Sequence, residues 1–234
     1  MKSLLFLAVV LLATLSLTNS TTIYEETDRI TEALMTKMKD HQKHLRPPGS
    51  ITNITIDMYV RNIFTMDADE RKWKVQLTFR QSWEDERLAY TTSMEGMDRI
   101  AYGNPKDIWT PDLFFRDEIS SHEHDTFHPN NLVYIYPNGK VLYSKRLTVE
   151  LYCPVDFNQQ NFVCPISLAS YMYTKDEMNL HWKTEDPVQL PKTVYMPKFI
   201  LNGVTTQTCD AKTTIGKWSC ITALFNIGHK ICHE

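Results

Sequence analysis

The sequence predicts an all-β chain, an immunoglobulin-like β-sandwich with one N-terminal α-helix. Three observations carry this. Several long segments alternate apolar and polar residues with a period of two, as strands with one buried face do. Only one segment, near the start, carries apolar residues on a helical period. Turn signals separate the alternating runs, and many short strands after one helix are the pattern of a sandwich.

The elements follow in order. Residues 1–20 read as a secretory signal peptide: Lys2 gives a positive start, Leu4 to Leu17 is apolar, and Thr18-Asn19-Ser20 offers small residues for cleavage. The apolar run is short for a membrane anchor, and no later stretch has the roughly 20 apolar residues a spanning helix needs. The expected mature chain, 21–234, is therefore secreted and enters no membrane by itself. Thr27 to Leu45 reads as the helix, with Ile30, Leu34, Met38 and Leu45 on one period and Pro47-Pro48 as its stop. Ile54, Ile56, Met58 and Val60 then alternate with Thr55, Asp57, Tyr59 and Arg61. Trp73, Val75, Leu77, Phe79 and Trp83 alternate with Lys74, Gln76, Thr78, Arg80 and Ser82. Val141, Tyr143, Leu147, Val149 and Leu151 do so with Ser144, Arg146, Thr148 and Glu150. Pro137-Asn138-Gly139 sits between two such runs and predicts a hairpin turn. No internal repeat or low-complexity linker interrupts the chain, so one domain is expected. The alternation also places Arg61, Arg80 and Ser144 on polar faces, where a ligand or a neighbouring subunit can reach them.

Composition excludes several function classes. The 234 residues are 42% hydrophobic and 23% charged with a net charge of -3, an ordinary globular balance that argues against nucleic acid as a partner. No dinucleotide-binding or P-loop glycine pattern occurs, and no H-E-x-x-H, G-x-S-x-G or C-x-x-C. No nucleophile–base–orienter spacing supports catalysis, and no cofactor is expected. Secretion favours disulfides among Cys153, Cys164, Cys209, Cys220 and Cys232. The first four form two locally spaced C-x10-C pairs, and Cys232 is odd, suited to an intermolecular bridge or a free end. Asn53-Ile54-Thr55 is a glycosylation sequon. His122, His124 and His128, and the terminal His229, Cys232 and His233, contain metal-ligand residue types. Neither has a clear ligand set, so a surface loop and a frayed tail are the simpler readings, and no metal is predicted.

The motifs then become specific. Leu77-Thr-Phe-Arg-Gln-Ser-Trp83, Asp85-Glu-Arg-Leu88 and Ile108-Trp-Thr-Pro-Asp-Leu-Phe-Phe115 closely resemble the extracellular domains of Cys-loop receptors. Tyr136-Pro-Asn-Gly-Lys-Val-Leu-Tyr-Ser144, Cys153-Pro154, Ala169-Ser-Tyr171, Trp182-Lys183, Asp186-Pro-Val-Gln189 and Ile215-Gly-Lys-Trp-Ser-Cys220 continue in the same order. The resemblance is greatest to invertebrate glutamate-gated chloride channels. It implies a neurotransmitter-binding sandwich that assembles as a ring of five, with the ligand between adjacent subunits. It further implies two local disulfides, Cys153–Cys164 and Cys209–Cys220. By position, one subunit supplies Arg61, Arg80 and Ser144 from a sheet face, and its neighbour supplies Phe115, Ser170, Tyr171 and Trp218 from loops. The residue types suit glutamate: arginine holds carboxylates with a planar fork, and aromatic faces attract ammonium. Each has a plainer reading. An arginine on a strand is often only a solvated face, Tyr171 has a plainer reading as a core ring, and for Phe115 the core and binding readings weigh the same. Trp83 and Trp109 read as structural.

The sequence also departs from the family. The Cys153–Cys164 loop encloses ten residues, fewer than the family's loop, and carries the polar tip Asn158-Gln-Gln-Asn161. The chain ends at Glu234, where the family continues into its first membrane helix, a combination that resembles secreted acetylcholine-binding proteins. Trp218, Ile215 and Tyr173 stand where the glutamate branch has Tyr, Thr and Trp. The expected function is a secreted, non-enzymatic protein that binds an acidic amino acid, as a homopentamer. The alternatives are a chloride-channel subunit that joins full-length subunits at the cell surface and, more remotely, a secreted β-sandwich enzyme or carrier.

Overall fold

The computed structural model describes residues 22–39, 42–67, 71–92, 94, 96–155 and 159–230. Helix α1 covers 22–39 and is followed by a 3-10 turn, Gln42–His44. Ile30, Leu34 and Met38 form its buried stripe, each at most 4% exposed. The helix thus begins about a turn before the predicted start, and Leu45 leaves the stripe at 60% exposure. The tighter 3-10 turn rotates successive residues by more than an α-helix does, so the phase is lost before Leu45.

The strands follow as β1 (Thr52–Asp67), β2 (Lys72–Glu84), β3 (Ile100–Tyr102), β4 (Leu113–Phe115), β5 (Glu118–Glu123), β6 (Asn131–Ile135) and β7 (Lys140–Tyr152). After them come β8 (Asn161–Ser170), β9 (Met178–Trp182), β10 (Val188–Gln189), β11 (Phe199–Thr208), β12 (Ala211–Thr213), β13 (Gly216–Trp218) and β14 (Cys220–His229). They form an eight-stranded sheet ordered β10-β1-β2-β7-β6-β3, with β9 also on β1 and β5 also on β7. A four-stranded sheet is ordered β11-β14-β8-β4, and β12-β13 is a separate hairpin. The predicted sandwich is present.

The alternating residues explain the layers. Ile54, Ile56, Met58 and Val60 of β1, and Trp73, Val75, Leu77 and Phe79 of β2, are all buried. Trp73 meets Phe225 of the opposite sheet edge to face, with ring centroids 5.1 Å apart. Both predicted disulfides are present. Cys153–Cys164, with Cα atoms 5.1 Å apart, joins the end of β7 to β8 and so ties the two sheets together. Cys209–Cys220 closes the base of the β12–β13 hairpin.

The Pro137-Asn138-Gly139 turn does join β6 to β7, with the Gly139 N–H donating to Tyr136 O at 2.9 Å. Gly139 has φ +82, and a Cβ there would lie 2.5 Å from Asp85 O. Only glycine allows both the dihedral and the approach. Asp85 itself is fully buried and accepts two hydrogen bonds from the Arg87 guanidinium, at 2.7 and 2.6 Å. The Asp85-Glu-Arg-Leu88 motif is therefore a structural clamp that seats the hairpin.

Candidate ligand-binding site

The long β1–β2–β7 ladder determines where the basic residues stand. Asp57 of β1 pairs with Arg80 of β2, and Arg80 pairs with Ser144 of β7. These three side chains form one row across the outer face of the larger sheet. The next rows along the strands are Tyr59–Thr78–Arg146 and Asn62–Gln76–Thr148. Arg61 falls at a register shift between Val60 and Asn62, a bulge that re-aims its side chain. Its backbone is four residues from Asp57, roughly 13 Å along a strand. Its side chain leans back only as far as the Tyr59–Thr78 row, two residues short of Asp57. The Arg61 Nε donates to Thr78 Oγ1 at 2.8 Å, and the guanidinium lies 5.7 Å from the centre of the Tyr59 ring. The two arginines therefore stand on the same face of the larger sheet, Arg61 against Thr78 and Arg80 against Asp57.

Arg80 is not an isolated charge. Its Nη1 donates to Asp57 Oδ1 at 2.7 Å and to Gln189 Oε1 of β10 at 3.3 Å. Asp57 and Arg80 both line a cleft of about 830 Å³ that runs up the sheet face past Asn53, Thr55 and Leu142 to Pro47 and Pro48. Ser144 lies in the arginine row but is only 9% exposed, so it is less accessible than the alternation implies. Its ladder neighbours, Arg80 on one side and Leu132 on the other, flank it. Asn53, the sequon residue, is exposed on β1 at the upper end of the cleft, and its Oδ1 contacts His181 Nε2 at 3.1 Å.

Lower on the same face, His124 is held between Gln76 and Thr148 at 3.3 and 2.8 Å. Burial lowers its pKa from the usual histidine value, and the neighbouring Arg146 and His122 lower it further. The His122 ring packs against it at a tilt, with centroids 4.8 Å apart. Among the described residues no group of three or more His, Cys, Asp and Glu side chains is arranged to hold a metal ion. Cys232 and His233 lie outside the described residues.

The candidate aromatic residues lie on the smaller sheet and on the β12–β13 hairpin. Tyr171 follows β8 and is 81% exposed. Its ring meets Phe114 of β4 at 5.9 Å, close to perpendicular. Phe115 points the other way. It is 8% exposed and packs on Phe79 at 5.8 Å, so in this structure it is a core ring. The accessible ring in that motif is Phe114. Ser170 is also withdrawn, at 2% exposure. Its Oγ donates to Asp112 Oδ1 at 2.7 Å and accepts the Tyr173 N–H at 2.9 Å. Asp112 Oδ2 accepts the Met172 N–H at 2.6 Å. Ser170 and Asp112 thus fold the turn that presents Tyr171.

Trp218, half-buried, ends β13 opposite Ala211. The hairpin is tied to the turn after Tyr171: the Lys175 N–H donates to Lys217 O at 2.7 Å, and Lys175 Nζ pairs with Asp210. Burial alone would raise the Asp210 pKa, but the Lys175 hydrogen bond and the Cys220 N–H outweigh it, and the net shift is downward. Trp218, Phe114 and Tyr171 therefore ride on segments tied to one another at one corner of the smaller sheet. The arginine row occupies the outer face of the larger sheet.

The residues that sequence reasoning missed are Asp57, Phe114 and Gln189. Asp57 is legible as a polar-face residue of β1, in phase with Arg80 once the β1–β2 register is known. Phe114 could have been found by extending strict alternation through Leu113-Phe114-Phe115.

The family model for the neurotransmitter-gated ion-channel ligand binding domain matches residues 27–227. A glutamate-gated chloride channel of Drosophila melanogaster is 36% identical over 171 residues, covering 72% of this chain and 38% of that protein. The gamma-aminobutyric acid receptor subunit alpha-4 of Rattus norvegicus is 32% identical over 212 residues, covering 87% of this chain and 38% of that subunit. The chain thus spans little more than a third of the length of these relatives. Among the described residues no helix is long and apolar enough to cross a membrane. A match across nearly the whole sandwich, joined to both expected disulfides, makes the assignment: the chain belongs to the neurotransmitter-gated ion-channel ligand binding domain family.

Proposed function

We propose that this chain is an extracellular, non-enzymatic binding domain for an acidic amino acid, glutamate first, held between adjacent copies in a ring of five. The observation that carries the reading is that Arg61 and Arg80 share the outer face of the larger sheet, with Arg61 bonded to Thr78, the neighbour of Arg80 on that face of β2. Two guanidinium groups so placed attract a dicarboxylate, which each can hold by charge-assisted hydrogen bonds. The other half of the site, Phe114, Tyr171 and Trp218, presents aromatic rings suited to an ammonium group. The arginines and the rings belong to different sheets, which supports a site shared between one subunit's sheet face and its neighbour's loops. The likeness to a glutamate-gated chloride channel supports the ligand class. Residues 1–20 as a signal peptide and Asn53 as a glycan acceptor support secretion.

A second reading is a cationic ligand such as acetylcholine, favoured by the indole of Trp218 and by the Asp57 carboxylate beside Arg80. Calorimetric titration of the purified chain with glutamate, GABA, glycine and acetylcholine separates the two. Glutamate is expected to bind best. Arg80→Ala should cost about 2–5 kcal/mol, at least roughly thirtyfold in affinity. Arg61→Ala should weaken glutamate more than it weakens glycine or GABA, which carry one carboxylate. Acetylcholine binding without glutamate binding, or normal glutamate binding by Arg80→Ala, would reject the arginine clamp.

A further inference from the structure

Asp57 stands directly opposite Arg80 in the β1–β2 ladder, and its carboxylate holds the guanidinium at 2.7 Å. Gln189 Oε1 takes a second contact on the same nitrogen, at 3.3 Å. The Asp57 side chain is 12% exposed and that of Arg80 is 30% exposed. Both residues line the same cleft. We propose that Asp57 is a specificity-determining residue, a built-in carboxylate that competes with the ligand for Arg80. The inference rests on the reading of Arg80 as the anchor for a ligand carboxylate.

The competition is electrostatic. Asp57 and Arg80 sit on adjacent strands of one sheet, so the pair is kept together by backbone geometry and not by two mobile side chains. An arriving carboxylate has two routes to Arg80. It can displace Asp57, which leaves a mostly buried carboxylate without its partner, a costly state. Alternatively it can bind the guanidinium beside Asp57 and accept repulsion from a fixed negative charge a few ångströms away. Either route weakens every ligand carboxylate at Arg80, whether the ligand carries one or two. Asp57 offers nothing against a ligand whose only charge is positive, and it attracts such a ligand. Arg61 is placed differently: it contacts the neutral Thr78 and the Tyr59 ring. Asp57 therefore shifts discrimination away from ligands that present a carboxylate to Arg80 and toward ligands whose only charge is positive.

The substitution that tests this is Asp57→Asn, which keeps shape and removes the charge. Asp57→Ala is the second variant should the amide perturb expression. Glutamate, GABA and acetylcholine are titrated by calorimetry into the full secreted chain, as wild type, Asp57→Asn, Arg80→Ala and the double variant. Asp57→Asn should bind glutamate and GABA about tenfold tighter, which is about 1.4 kcal/mol, and acetylcholine no tighter. Binding that is detectable only after Asp57→Asn supports the proposal equally. In the Arg80→Ala background the Asp57 substitution should have no such effect, since the guanidinium competed for is gone. If Arg80→Ala loses glutamate while Asp57→Asn and Asp57→Ala bind it like the wild type or more weakly, the competitor role is overturned and the anchor stands. If Arg80→Ala binds glutamate normally, both fall.

Discussion

A three-residue strand turns adjacent side chains to opposite faces, and Leu113-Phe114-Phe115 divides its two aromatic rings in this way. Phe115 enters the core against Phe79, while Phe114 remains outside against Tyr171. Alanine at the two positions should separate stability from binding. Phe115→Ala removes a buried ring and should cost about 3–5 kcal/mol in urea unfolding. Phe114→Ala should cost less than about 1 kcal/mol of stability but weaken any ammonium-bearing ligand. Equal stability losses would contradict the orientation. Ser170 follows the same logic as Phe115. It lies within a motif that matches the family, and its hydroxyl is occupied by Asp112 and the Tyr173 N–H, so the hydroxyl shapes the turn.

At the scale of elements, the two disulfides have the same sequence separation of 11 but different tasks. The chain-entropy model assigns loops of this length equal stabilisation through the unfolded state, roughly 3 kcal/mol each. The native state breaks the equality. Cys153–Cys164 links strands of the two sheets, whereas Cys209–Cys220 closes a hairpin that projects from one. A peripheral hairpin can open locally while the sandwich remains intact. Replacing Cys153 and Cys164 by alanine should therefore lower Tm in calorimetry more than replacing Cys209 and Cys220. The second pair of substitutions should instead weaken ligand binding, because Trp218 loses its fixed base. A larger Tm loss from the hairpin bridge would show that the hairpin is part of the global folding unit.

At the scale of the whole molecule, the proposed function gives one subunit two half-sites on different sheets. Ligand binding and assembly are then one problem, and light scattering of the purified chain should return five times the monomer mass under conditions where glutamate binds. A monomer that binds glutamate with full affinity would refute the shared site. The outer face of β1, β2 and β7 is the surface expected to meet the neighbour, and a charge reversal such as Arg146→Glu there should lower the measured mass without unfolding the chain.

Much of this architecture is legible in the amino-acid sequence. Period-two alternation in β1, β2 and β7 follows from burying one face of a strand, and it identifies the inward residues, including Trp73, which reaches Phe225 across the core. The order of the motifs identifies both cysteine pairs and the two arginines. Helix α1 is legible as an element, but its end is not, because the change to a 3-10 turn leaves no mark on the apolar spacing. What only the tertiary structure decides is which side chains meet. A strand's own sequence says which face a residue occupies, but not which residue of the next strand lies opposite. That depends on register, and register places Asp57 against Arg80 and brings Arg61 back to Thr78 through a bulge. Whether an arginine is an open charge or half of an ion pair is settled by its neighbours across the ladder, and these lie 17 to 109 residues away along the chain.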